Sequence, residues 1–289
     1  MRYRRETQRP DDWTLAPGHW MRGGMRFFAG GHGHGSARMI DSSGFGNHGV
    51  LTNMTPLTDW VYAPELGRMA TDYDGSNDHI VLPAGSAILT AAPITLAAWF
   101  KPTVATVDEA IVGLGQTGAS GADYFALGSY GALTGDPVRA VADGTTPAYA
   151  SSASGFAAGV WQHGIAEFKN DASRTAYLNG VPGTANTTNM APASVTLGTI
   201  GGLRRTALTI PFTGSICDVL IFNRVLSRSE IAALADPQWS IMCGGLIVPR
   251  RRIMWPVWAG ATYTATAAHP TIKRFGGVPF AAGSGKGVW

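Results

Sequence analysis

Short runs of apolar or alternating residues, each closed by Gly, Pro, Asp or Asn, recur along the middle of the chain. Ile94-Thr-Leu-Ala-Ala-Trp-Phe100 is stopped by Lys101-Pro102, and Ala110-Ile-Val-Gly-Leu114, Tyr124-Phe-Ala-Leu-Gly128 and Val138-Arg-Ala-Val-Ala142 follow at a spacing that predicts strands. In Trp161-Gln-His-Gly-Ile-Ala-Glu-Phe168 a period of two puts Trp161, His163, Ile165 and Glu167 on one face and Gln162, Gly164, Ala166 and Phe168 on the other. Arg174-Thr-Ala-Tyr-Leu-Asn-Gly-Val181 carries Asn179-Gly180 between β-formers, the pair that a type I′ hairpin turn needs for positive φ at both central residues. Val195-Thr-Leu-Gly-Thr-Ile200 and Gly214-Ser-Ile-Cys-Asp-Val-Leu-Ile-Phe222 add two strands. The second is almost continuously apolar, as a strand covered on both faces would be. One helix is predicted after it: Ser227 and Glu230 have the spacing of a capping box, Leu226 and Ile231 that of a hydrophobic staple, and Asp236-Pro237 ends the run.

Composition agrees with many turns and few helices. The 289 residues include 38 Gly and 17 Pro, and 14% are charged. That length buries a sizeable core in one large β domain or two small ones. No apolar run approaches the roughly 20 residues of a membrane helix, so a membrane partner is not expected. Met1-Arg-Tyr-Arg-Arg5 is basic, but Glu6 to Asp12 stand where the apolar stretch of a signal peptide would begin, so secretion is not expected. Cys217 and Cys243 are too few for a disulfide framework, and Cys217, within strand-like sequence, reads as a buried small hydrophobe.

Charge divides the chain. Residues 1–40 carry seven Arg and three acids, residues 237–289 carry six Lys and Arg and no acid, and the stretch between has nine bases against sixteen acids. The picture is an acidic body, 41–236, between a basic N-terminal arm, 1–40, and a basic C-terminal arm, 237–289. Six of the nine Trp lie in the arms: Trp13, Trp20, Trp239, Trp255, Trp258 and Trp289. Segments rich in Gly and Trp without helical or strand periodicity are expected to order only against a partner. Trp13, Trp20, Arg250, Arg251, Arg252, Trp255, Trp258 and Trp289 are therefore the expected subunit interface, in a homo-oligomer guessed to be a trimer. Three consecutive Arg offer little to nucleic acid, whose affinity scales with phosphates neutralised.

Candidate chemistry is sparse. Gly113-Leu-Gly-Gln-Thr-Gly118 spells a dinucleotide fingerprint, but the residues after it start no helix, so it reads as a glycine-rich connection between strands. His32 and His34, with His19 or His48, lack a frame that would fix metal geometry. Two loops, Asp41-Ser-Ser-Gly-Phe-Gly-Asn-His-Gly49 and Asp72-Tyr-Asp-Gly-Ser-Asn-Asp-His-Ile80, are dense in residues that bond their own backbone. Asp74, Asn77 and Asp78 in the second also offer the hard oxygens calcium takes. None of the five Glu has an acidic partner at even spacing in its own strand, as a glycosidase pair on one strand would require, and no Gly-x-Ser-x-Gly elbow occurs; no enzyme is expected. Tyr124, Tyr130 and Tyr149 are the aromatic candidates for a sugar site.

The Asp41–Gly49 and Asp72–Gly75 phrases, Ile94–Trp99, Trp161-Gln-His163, Tyr177-Leu-Asn-Gly180, and Phe212–Asp218 through Leu226-Ser-Arg-Ser-Glu-Ile231 together resemble the laminin-G-like, concanavalin A-like jelly roll over residues 41–236. The resemblance implies an all-β, two-sheet antiparallel sandwich with one short C-terminal helix, a fold used for sugar binding, protein binding, glycosidase activity and architecture. It also implies calcium near the Asp74–Asp78 turn as the alternative to self-bonded turns. Asn47-His-Gly-Val-Leu-Thr-Asn-Met54, Asp59-Trp60-Val61 and Pro249-Arg-Arg-Arg-Ile253 resemble laminin-G-like proteins encoded among the structural genes of tailed bacteriophages. From this follows the expectation of a virion structural protein, a capsid decoration or tail component assembled in the host cytoplasm. Its expected partners are its own copies and the major capsid or tail proteins. The alternative is a module that binds host-surface glycans.

Overall fold

The structure, a computed structural model, describes residues 13–15, 18–30, 35–116, 123–144, 146–237 and 247–249. Two antiparallel eight-stranded sheets face one another. One, the helix-side sheet, runs Val181–Pro182, Ser173–Leu178, Gln162–Asn170, Ile94–Pro102, Thr213–Phe222, Arg68–Asp74, Trp60–Ala63, with Met25–Ala29 also paired to Thr213–Phe222. The other, the hairpin-side sheet, runs Ala148–Gly155, Pro137–Asp143, Tyr124–Tyr130, Asp108–Gly115, Leu197–Ile200, His79–Leu82, Gly49–Thr52, Arg38–Met39. The expected all-β sandwich and its strands are present, and Asn179 and Gly180 both take positive φ in the hairpin that pairs Leu178 with Val181.

The near-continuous apolar strands are those buried on both faces. In Ile94–Pro102, Ile94, Leu96, Ala98 and Phe100 enter the core between the sheets, whereas Ala97 and Trp99 enter a second core on the outer side. That second core is closed by the helix Arg228–Leu234, through Ile231 and Leu234, and by Met21, Met25 and Phe28 from the N-terminal segment. The helix starts where its caps dictate. Ser227 Oγ accepts from the Glu230 amide, Glu230 Oε2 accepts from the Ser227 amide, and Arg224 grips both Glu230 oxygens at 2.7 and 2.9 Å.

Thr213–Phe222 changes phase midway. Ile216 points into the central core and Cys217 outward; after a bulge at Asp218, which holds φ of 48°, Val219 and Ile221 point inward and Leu220 and Phe222 outward. The same strand changes partner there: residues 213–216 pair with 71–74, and residues 219–222 pair with Met25–Ala29. Asp218 is ion-paired to Arg68, both side chains being nearly sealed from solvent. The Arg68 guanidinium also donates to the carbonyls of Leu66 and Pro237, at 3.2 and 2.9 Å, and lies 5.7 Å from the Trp99 ring centroid.

The expected arm boundary at residue 40 moves toward the N-terminus. Met25–Ala29 is a buried strand of the sandwich, and Arg38–Met39 edges the opposite sheet. Charge misled the reading here, because Arg22, Arg26 and Arg38 surround a strand whose own side chains fill two cores. The Asp41 loop fastens that strand. Asp41 Oδ1 accepts from the amides of Phe28 and Ser43, and Oδ2 from the Asn47 amide and the Ser43 hydroxyl. Farther out, Trp13–Leu15 pairs antiparallel with Ile247–Pro249, joining the two expected arms by backbone bonds.

At one end of the interior, Glu109 is fully buried, with Oε1 accepting from the Thr213 amide at 2.9 Å. Burial outweighs its hydrogen bonds and pushes its pKa from 4.5 up to about 7. Folding thus favours the protonated acid: its contribution is fully present below pH 4.5 and is lost as pH rises through about 7. Stability measured by denaturant unfolding should fall over that window, and Glu109→Gln should flatten the slope and stabilise the protein above neutral pH by about 2 kcal/mol. Asp218→Ala, which strands a buried guanidinium, should cost about 3–5 kcal/mol. In a double-mutant cycle Asp218→Ala with Arg68→Met should cost less than the sum of the single changes, and strict additivity would mean that the pair is not coupled.

Candidate functional site

The helix-side sheet has its outer face covered by the helix and the N-terminal segment. On the hairpin-side sheet a two-stranded hairpin, Leu203–Arg204 with Leu208–Thr209, lies over Asp108–Gly115. Gly113 and Gly115 make this approach possible, since a Cβ on Gly115 would run into the Arg204 carbonyl and one on Gly113 into the Leu203 side chain. Two of the three glycines of the expected connection, Gly113 and Gly115, are thus strand residues under a hairpin, and Thr117 and Gly118 lie outside the described residues.

Beside the hairpin, three strands present side chains outward in register. Tyr124 stands opposite Asp143, Ala126 opposite Val141 and Gly128 opposite Arg139; on the next strand Tyr149 pairs with Val141 and Ser151 with Arg139. Phe125 and Leu127 point the other way, into the central core. All three candidate tyrosines therefore share one face. Ala126, Val141 and Leu203 make its apolar floor, and Tyr149, 44% exposed, is its most accessible aromatic.

Two polar groupings sit on this floor. In the first, the Arg139 guanidinium lies 3.9 Å from the Tyr149 ring centroid and 5.2 Å from that of Tyr130, while its Nε donates to Ser151 Oγ at 3.1 Å. The second joins Tyr124, Asp143 and Arg205. The Arg205 guanidinium is 5.6 Å from the Tyr124 ring centroid, and Asp143 is only 7% exposed, with Oδ1 lacking a hydrogen-bond partner among the described residues. Burial raises the Asp143 pKa against the opposing pull of the Tyr124 hydroxyl and Arg205. Burial, then the Asp143 charge, pushes Tyr124 up to about 12. Tyr124 therefore remains a neutral hydroxyl at physiological pH, available as donor and acceptor.

The other predicted residues are dispersed. Asp74 Oδ1 accepts from the amides of Ser76 and Asn77 at 2.8 and 3.2 Å, Asp78 Oδ2 accepts from the Asp74 amide at 3.3 Å, and the Asn77 carbonyl accepts from Asn53 Nδ2. These are self-bonded turns, and among the described residues no three His, Cys, Asp or Glu side chains gather to hold a metal. Trp20 is 37% exposed beside buried Met21. Trp13 is placed by its backbone pairing with Pro249. Arg250, Arg251, Arg252, Trp255, Trp258 and Trp289 lie outside the described residues, as do His32, His34 and Cys243. His48 Nδ1 accepts from the Asp41 amide, and Cys217 is a buried free thiol, as expected. Arg139, Asp143 and Arg205 were missed. Alternation puts residues 139, 141 and 143 on one face, but only the register of three strands and the hairpin brings them to the tyrosines.

No curated protein matches the sequence. Among solved structures, domain 4 of the extracellular arabinanase AbnA from Geobacillus stearothermophilus, determined in complex with arabinotriose, superposes with a TM-score of 0.59 at 18% identity, over 73% of this chain and 98% of that one. Trypanosoma rangeli sialidase aligns with a TM-score of 0.53 at 16% identity, and the chain spans only about a third of its length (73% and 32%). The receptor-binding domain of botulinum neurotoxin mosaic serotype C/D gives 0.56 at 13% identity (75% and 52%). These likenesses show the sandwich alone. The laminin-G-type family model of the Concanavalin A-like lectin/glucanases superfamily matches residues 74–232, more than half of the chain and most of both sheets, so the chain belongs to that superfamily.

Proposed function

We propose that the chain is a non-catalytic carbohydrate-binding module whose ligand lies across the outer face of the hairpin-side sheet. The observation that carries this reading is the convergence of Tyr124, Tyr130 and Tyr149 with Arg139, Asp143 and Arg205 on an apolar floor. A sugar ring needs this mixture, an aromatic surface for its C–H face and fixed donors and acceptors for its hydroxyls. Superfamily membership supports it, as does the arabinotriose complex of the domain from Geobacillus that this chain overlays over nearly its whole length. Catalysis is not proposed: Glu109, whose pKa burial raises to about 7, faces the sealed interior.

The pairing of Trp13–Leu15 with Ile247–Pro249 favours a second, compatible reading in which the basic terminal segments act together. In it the sandwich is displayed on a virion, as a capsid decoration or tail component, and the termini bind neighbouring copies, a trimer being the simplest assembly. Major capsid or tail proteins would be the further partners, met in the host cytoplasm during assembly.

A glycan array probed with the full chain should give reproducible binding. Tyr149→Ala should weaken it about tenfold without changing the melting temperature. An array silent to the folded protein would sink the carbohydrate reading. For the second reading, removal of residues 240–289 should leave a cooperatively melting sandwich that light scattering finds monomeric, where the full chain is oligomeric; a monomeric full chain would contradict it.

A further inference from the structure

We propose that this face selects acidic sugars, and that Arg139 reads their carboxylate; the inference rests on the carbohydrate reading above. A fully buried guanidinium is almost never left unpaired, and a half-buried one gives up part of its hydration. Among the described residues Arg139 makes no ion pair, and its contacts are the Ser151 hydroxyl at Nε and the two tyrosine rings. The rings fix the plane of the guanidinium, and the Ser151 bond fixes its rotation. Its Nη1 and Nη2 donors are thus held as a fork, with no acceptor on them among the described residues, in the arrangement that meets a planar carboxylate through two parallel bonds.

The acidic groups around it do not occupy that fork. Asp108, opposite Tyr130, accepts from the Ala132 amide at 3.2 Å through Oδ1. Asp143 interacts with Tyr124 and Arg205. Asp136, in the turn before the strand, takes positive φ, and its carbonyl accepts from the Phe156 amide. Tyr149 beside Arg139 supplies the surface for the sugar ring that carries the carboxylate. The chemical class is a glycan with a ring-borne carboxylate, either a hexuronic acid or a nonulosonic acid such as sialic acid.

The test is calorimetric titration of the full chain with oligogalacturonate and its carboxyl-reduced counterpart, and with sialyllactose and lactose. At least one acidic probe should bind about tenfold or more tightly than its neutral partner. Arg139→Gln should erase that preference, bringing the affinity for the acidic probe down to that for its neutral partner. Arg139→Lys, which keeps the charge but not the fork, should lose most of it. Unchanged melting temperatures would show that the variants fold. Equal binding of acidic and neutral partners would overturn the inference and leave the carbohydrate reading standing. Absence of binding by either acidic probe would overturn it too, and a glycan array silent as well would remove the reading on which it rests.

Discussion

One extra residue in one strand fixes which side chains of the helix-side sheet reach which core. Strands alternate with a period of two, so a single insertion exchanges every later side chain between the faces. Before Asp218 the strand Thr213–Phe222 sends Ile216 inward; after it, Val219 and Ile221 go inward and Leu220 and Phe222 meet the helix. The positive φ of Asp218 is unfavourable for a side-chain-bearing residue, and the buried ion pair with Arg68 holds it. Because Arg68 opens the strand Arg68–Asp74 and also bonds the Pro237 carbonyl beyond the helix, one guanidinium ties the bulge, the neighbouring strand and the chain after the helix into one unit. The bulge is also where the strand exchanges its partner, so the place of Met25–Ala29 in the sheet depends on it.

Covering makes the outer faces of the two sheets unequal. The outer face of the helix-side sheet is spent on a second apolar core, with Met21, Phe28, Ile231 and Leu234 packed on Trp99 and Leu220. On the opposite sheet the hairpin after Leu197–Ile200 packs on Asp108–Gly115, Tyr124 and Val141, leaving Arg139 half-buried and Tyr149 exposed on the outer face beyond it. The asymmetry has a sequence cause. Val141 is flanked on its outward face by Arg139 and Asp143, whereas both faces of Ile94–Phe100 are apolar up to Lys101, apart from Thr95.

Features governed by near neighbours were legible in the sequence. The Ser227–Glu230 capping box, the Asn179-Gly180 turn, the faces of Gln162–Asn170 and the Asx-turns at Asp74 each involve residues a few positions apart. The features that escaped are non-local. Met25–Ala29 is buried on both faces and lacks alternation, and the arginines around it carried the argument toward an arm. The Asp41 loop read as a boundary, yet it is a junction, because its carboxylate bonds Phe28 across 13 residues of chain. The candidate site depends on the pairing of Tyr149 with Val141 and Arg139 with Ser151, a register that no local pattern of residues specifies.

That register makes Arg139 the least locally explained residue of the molecule. A buried arginine elsewhere in the same protein shows the alternative: Arg174, almost wholly sealed, bonds its Nη1 to the Asn186 side chain and its Nη2 to the carbonyls of Asp171 and Thr188, and so holds a loop. Arg139 has only one such bond and two rings, which favour a cation without satisfying its outer N–H groups. Rings and hydroxyl orient it while no acceptor among the described residues meets its outer edge, which is the ground for proposing that it meets a planar anion. The two arginines thus differ in what their outer N–H groups meet: those of Arg174 bond its own chain, whereas those of Arg139, at a sheet face, have no acceptor among the described residues, and the recognition role proposed for Arg139 rests on that difference.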